Sequence, residues 1–179
     1  MYFVKRSDPM RTLLSRCVML SLSAVLMVGA ASVQALEPAK GKVILTISGK
    51  VGEKNSPDAA VFDLAMLEKL PQQKFSAQTP WDKKPIAFQG PLLRDVLAAA
   101  KASGTTLKAA ALNDYQTTIP ADDANKFDVI LAYKMNGELI PVRTKGPLFI
   151  VYPFDSKAEL RSATYYERSA WQLKSLTVE

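Results

Sequence analysis

The 179-residue sequence contains no histidine and a single cysteine. Without imidazole, Ser-His-Asp and Cys-His catalysis are excluded, as is any His-ligated zinc, haem or non-haem iron. Cys17 stands within the first twenty residues, with no disulfide partner and no companions for a structural metal site. Any chemistry is therefore left to carboxylates, Lys, Tyr, Arg or a cofactor. Long runs of like charge are missing too. Lys and Arg never stand four together, so the basic stripe of a nucleic-acid binder is absent. Gly41 and Gly90 sit in no phosphate-cradling spacing. What is present, 48% hydrophobic and 8% aromatic residues, is the make-up of a globular chain rather than a disordered one.

The first 35 residues read as an export signal. Lys5, Arg6, Arg11 and Arg16, opposed only by Asp8, precede an apolar run from Cys17 to about Val28, which ends in the small residues GAASVQA. Val33 and Ala35 lie three and one positions before the expected cut, leaving Leu36 as the first mature residue. Cys17 precedes the apolar run rather than following it, which excludes a lipoprotein signal, and there is no twin arginine. The reading is a Sec signal peptide at 1–35, a single domain at 36–179 and a periplasmic protein that does not span the membrane after cleavage. That mature chain carries 19 basic and 16 acidic residues, a weak excess, and no cysteine at all. Its 144 residues suffice to bury about 70% of the unfolded surface without staples.

The pattern along the mature chain predicts an α+β domain of mostly mixed or antiparallel sheet with one or two short helices. KVILTISGKV, residues 42–51, alternates as a half-buried strand. Asp63 caps a helix over LAMLEKL that Pro71 closes. QKFSAQT reads as a strand, PWDKKP as a loop around Trp81, and Pro91 as the first turn of a helix running to Ser103 and stopping at Gly104. TLKAAAL and QTTIP are strands joined by a turn, and ADDANKF is a short helical turn. DVILAYKM and ELIPVR flank Asn136-Gly137, the pair that favours a type I′ hairpin. GPLFIVYPF, apolar on both faces, belongs in the middle of a sheet. Tyr165 and Tyr166 fall in a polar loop, and SAWQLKSLTV is the last strand.

FDLAMLEKLP, FQGPLLRDVLAAA, ALNDYQTTIP, DVILAYKMNGELIPV, KGPLFIVYPFD and RSAWQLKSL, in that order and at compatible spacing, resemble the successive elements of the sulfite oxidase-like molybdopterin-binding domain, in its short, exported, stand-alone form. The resemblance runs over about residues 42–175. It implies a compact, β-rich fold and, in complete enzymes, a molybdenum cofactor held by a cysteine thiolate. That cysteine is expected within Thr79 to Trp81, where this chain has TPW. Neither residue can replace a soft thiolate. The basic arm that holds the pterin in the enzymes is also expected to be missing, since only six residues separate Leu36 from the first strand.

Six residues are candidates for a ligand site. Asn113, Asp114 and Tyr115 end a strand and either offer an amide, a carboxylate and a phenol to a ligand or form an Asx turn with the tyrosine on the sheet. Arg143 and Lys145, ahead of Gly146-Pro147, fall where the family's pocket holds anions, or else are a solvated pair. Trp81 sits in a polar loop and is assigned to the surface. Tyr165, Tyr166 and Trp171 are candidates for the same cleft wall, although Trp171 is assigned to a core strand. Asp122 and Asp123 complement a helix dipole, and Asp155 has no basic companion close in sequence.

No catalytic residue and no metal ligand is identified. The functional expectation is a periplasmic binding or sensory accessory protein that takes a small anionic ligand or the periplasmic domain of a membrane protein, without nucleic acid. No cofactor is expected, although the resemblance allows molybdopterin. The alternatives are a molybdopterin-dependent oxidoreductase of the sulfite oxidase type with an atypical metal site, and a packing subunit of an envelope complex.

Overall fold

Alternating apolar residues in Val43–Gly49 form β1, whose Leu45 and Ile47 are wholly buried while Thr46 and Ser48 stay half-exposed. The computed structural model describes Tyr2 and residues 36–179, so the expected signal segment, with Cys17, lies outside the described residues apart from Tyr2. β1 pairs antiparallel with β2 (Ala60–Asp63) and parallel with β11 (Leu173–Val178). β11 in turn pairs with β5 (Thr106–Ala111), and β5 with β6 (Gln116–Pro120), giving a mixed sheet in the order β2-β1-β11-β5-β6. The last strand therefore lies in the sheet's centre.

A second, four-stranded sheet runs β3-β4-β8-β9. β3 (Gln72–Ala77) and β4 (Ile86–Pro91) are antiparallel, with Phe75 opposite Phe88. β8 (Lys134–Met135) and β9 (Glu138–Leu139) form the expected hairpin. Asn136 at φ 51° and Gly137 at φ 88° occupy the two left-handed positions that a type I′ turn requires. β7 (Ile130–Ala132) and β10 (Phe149–Val151) make a two-stranded ribbon, every residue of it buried. The chain DVILAYKM is thus not one strand. Tyr133 donates its N–H to Gln89 and accepts from Ile140, passing the chain from one pairing partner to another.

Asp63 anchors the entry to the first helix, α1 (Leu64–Lys69). Its Oδ1 accepts from Met66 N–H at 2.9 Å, the expected N-cap, while Oδ2 accepts from Lys40 and Gly41 N–H at 2.9 and 2.7 Å. These amides, Gly41 foremost and Met66 next, outweigh its burial and hold the carboxyl below the usual range. Among the described residues the other α-helices are α2 (Leu93–Ala99), α3 (Asp123–Lys126) and α4 (Ala163–Arg168).

Several local expectations are corrected. Pro91 ends β4 instead of opening α2, because Leu92 bridges Ile130 and Leu93 N–H donates to Val129, holding the backbone extended one residue longer. α2 stops at Ala99, and Lys101 turns left-handed at φ 46°. GPLFIVYPF is apolar on both faces, yet its strand β10 pairs with β7 alone. Its other flank is closed by the segment before β11, where Ala170 accepts from Ile150 N–H and Leu148 from Leu173 N–H. Tyr165 and Tyr166 lie on α4, not in a loop, and β11 starts two residues beyond Trp171.

Candidate functional site

The loop that follows β3 is built around Thr79. This threonine is only 3% exposed, and its hydroxyl donates to Asp82 Oδ2 at 2.7 Å while accepting from Trp81 N–H at 3.2 Å. A local Thr-x-x-Asp turn of this kind fixes the direction of the side chain between its ends, here Trp81. Asp82 Oδ2 also accepts from Lys145 Nζ at 2.7 Å, and the two side chains are 23% and 19% exposed. Burial pushes the Asp82 carboxyl up, but the bonds from Lys145 and Thr79 outweigh it and hold the group below its usual range.

Trp81 stands in a nest of rings. Its centroid is 5.2 Å from Trp171 at 83°, 5.9 Å from Tyr166 at 70°, and 5.9 Å from Phe149 at 57°. Such tilted and edge-to-face contacts bring the positive edge of one ring to the negative face of the next. The Lys145 ammonium lies 5.9 Å from the Trp81 and Trp171 centroids, within cation–π range. Beside these rings opens a cleft of about 270 Å³, lined by Trp81, Trp171, Tyr166 and Tyr115 together with Asn113 and Glu167.

Of the six candidate residues, Trp81, Asn113 and Tyr115 line this cleft, and Lys145 backs its wall from the Asp82 side. Tyr115 is 42% exposed and donates its hydroxyl to the Glu167 carbonyl at 2.8 Å, tying the β5–β6 turn to α4. Asn113 Oδ1 accepts from Tyr115 N–H at 3.2 Å, an Asx turn, with Asp114 left-handed at φ 64°. Asp114 and Arg143 are not brought into the lining. Asp114 faces solvent, 3.7 Å from Lys174. Arg143 is exposed on the turn at 142–145, which Gln172 fastens through Val142 O at 2.7 Å and Lys145 O at 2.9 Å. The two cations expected to hold an anion are thus one paired and one outside the cleft.

Trp171 is corrected from a core strand to the cleft wall. It lies in the bend before β11, half-buried, because Gln172 takes a left-handed φ of 53° that turns the chain before the ladder begins. Tyr166 joins the wall as anticipated. Tyr165 does not, packing 5.3 Å from Phe127 and 5.2 Å from Tyr152. Two acidic residues have partners that differ from the sequence expectation. Asp123, 6% exposed, accepts from Tyr152 Oη at 2.8 Å and from Arg168 at 2.9 Å, so it anchors α4 rather than a dipole. Asp155 pairs with Arg161 at 3.0 Å and accepts from Gln78 N–H at 2.8 Å, so its companion stands only six residues away. Glu167 belongs to no motif, and the one sequence signal for Asp82 is the Thr79-x-x-Asp82 spacing, which marks a turn but not the distant partner Lys145.

A family model described as oxidoreductase molybdopterin binding domain matches residues 30–156. Among solved structures, the sulfane dehydrogenase SoxCD from Paracoccus pantotrophus is similar at a TM-score of 0.57 and 19% identity, over 80% of this chain and 40% of that one. At that identity the likeness is one of fold, and this chain spans less than half the length of that relative. No curated protein matches. The α+β, mostly antiparallel architecture expected from the sequence is the one these matches share.

The residues present do not fit a thiolate-held molybdenum. The stretch after β3 where the thiolate is expected, Thr79 to Trp81, offers a single hydroxyl, on the buried Thr79, and that hydroxyl is already engaged by Asp82. Among the described residues no three His, Cys, Asp or Glu side chains converge as a metal site. The one carboxylate at this loop is neutralised by Lys145. Hydroxyl and ammonium-paired carboxylate are hard donors, poorly matched to the soft ligation such a centre uses.

Proposed function

The chain belongs to the oxidoreductase molybdopterin binding domain family, and on that premise we propose that it acts as an exported accessory module that binds a ligand in the Trp81–Trp171 cleft without molybdenum–cysteine chemistry. One observation carries this reading. Within Thr79 to Trp81, where the thiolate is expected, the Thr79 side chain is closed into a hydrogen-bonded loop with Asp82 and Lys145, and Trp81 lines the cleft instead. A cleft lined by aromatic rings with a few polar groups is the ordinary make-up of a small-molecule site. The same surface also suits an aromatic or apolar anchor from the periplasmic domain of a membrane protein.

The periplasmic location rests on the pattern of residues 1–35 alone. Among the described residues no helix is long and apolar enough to cross a membrane. Native mass spectrometry of the exported chain tests both parts together. The proposal expects a polypeptide starting within a few residues of Leu36 and no added mass of a metal–pterin group. An intact chain from Met1 in the cytoplasm contradicts the export, and a stoichiometric metal–pterin adduct contradicts the binding role.

The second reading, a sulfite oxidase-type oxidoreductase with a cysteine-free metal site, is favoured by the family match. With Asp82 as ligand it requires Lys145 to leave that carboxylate, and with Thr79 as ligand it requires the hydroxyl to give up its bond to Asp82.

A further inference from the structure

Resting on the reading of the cleft as a ligand site, we propose that it selects an organic cation, a small alkylated ammonium group taken up among Trp81, Trp171, Tyr166 and Tyr115, with Glu167 as the acidic residue of the lining. The ring planes are the first reason. Trp171 and Tyr166 stand at 83° and 70° to Trp81, so the rings that line the cleft differ in plane rather than forming one stack. Aromatic rings disposed around one space present several quadrupoles to it, the arrangement that holds quaternary and methylated ammonium groups.

The second reason is that these rings already accept an ammonium. Lys145 Nζ lies 5.9 Å from both tryptophan centroids, and its charge is matched by Asp82 at 2.7 Å. The third is the charge of the lining. Glu167 is the charged residue of the lining, it is exposed, and it takes part in no ion pair among the described residues. The lining thus carries one acidic residue and no unpaired cation, since Arg143 lies outside it and Arg168 is held by Asp123. Size is the fourth. About 270 Å³ lies just below the range of drug-sized pockets, which suits a compact head group.

The chain has two tryptophans, and both stand in this cleft, so intrinsic emission reports its occupancy directly. The test titrates the exported chain with choline, with its uncharged isostere 3,3-dimethylbutan-1-ol, and with benzoate as an anionic planar probe. The inference expects a saturable emission change with choline and an affinity about tenfold weaker for the isostere. Glu167→Gln weakens choline roughly three- to tenfold, whereas Glu159→Gln, an exposed change outside the lining, leaves it unchanged. Equal affinity for choline and its isostere overturns the cation selectivity and leaves the cleft a ligand site. Silence to choline with a response to benzoate overturns it in the same way. Silence to all three probes overturns the cation site, and the ligand-site reading falls with it when the same protein carries stoichiometric molybdenum.

Discussion

Lys145 donates to Asp82 Oδ2 at 2.7 Å across 63 residues of sequence, closing the loop after β3 against the turn that precedes β10. Both side chains are mostly but not fully buried, so removal of one partner leaves a partly desolvated charge behind. Lys145→Met is predicted to cost about 1–3 kcal/mol in chemical denaturation. Asp82→Asn and Lys145→Met together should cost less than the sum of the two single changes, since each removes the same pair. Strict additivity contradicts the coupling.

The pair also sets a pH dependence. The folded carboxyl of Asp82 lies below its ordinary value, and that of Asp63 does as well. A lowered folded value means the stabilisation is fully present above the unfolded value, about 3.9, and is lost as pH falls through the folded value. Stability and tryptophan emission are therefore predicted to stay level from about pH 5 to 8 and to fall together below about pH 4. Asp82→Asn should remove most of the emission change while leaving the part of the stability loss that belongs to Asp63.

Adjacent carboxylates should behave differently. Asp123 is buried between Tyr152 and Arg168, whereas Asp122 is exposed and caps no amide with its side chain. Asp123→Asn is predicted to destabilise by about 2–4 kcal/mol and Asp122→Asn by less than about 0.5 kcal/mol. Because Arg168 sits on α4, which also carries Tyr166 and Glu167, the Asp123 change should alter tryptophan emission even in the folded protein. Equal effects of the two changes contradict the anchoring role.

Gly90 sits where β4 passes β7, and a Cβ there would lie 2.0 Å from the Leu131 carbonyl oxygen. Gly90→Ala is predicted to cost about 3 kcal/mol by forcing the two backbones apart. Gly137→Ala meets no atom within 4 Å and strains only its left-handed φ of 88°, so about 1 kcal/mol is expected by thermal denaturation.

Much of this fold is legible in the sequence where one local signal governs. Asp63 reads as an N-cap and Asn136-Gly137 as a hairpin turn because each acts within a few residues. β4 escapes such a reading, being short, bounded by Pro85 and Pro91, and defined by its partners β3 and β8. The site divides in the same way. Trp81, Tyr166 and Tyr115 stand out as aromatics in polar surroundings, and they do converge. The partners of Lys145 and Asp123 are invisible in sequence because they lie 63 and 45 residues away, and Trp171 was misplaced because Gln172 takes a left-handed turn that periodicity does not signal.

Binding through the aromatic cleft goes with the lack of a metal within Thr79 to Trp81. The direct test is the molar ratio of molybdenum to polypeptide, by elemental mass spectrometry, in protein purified from its native compartment and assayed alongside for sulfite and sulfoxide turnover. The account predicts a ratio far below one and no turnover. A ratio near one, with turnover that disappears on Asp82→Asn or Thr79→Val, contradicts it.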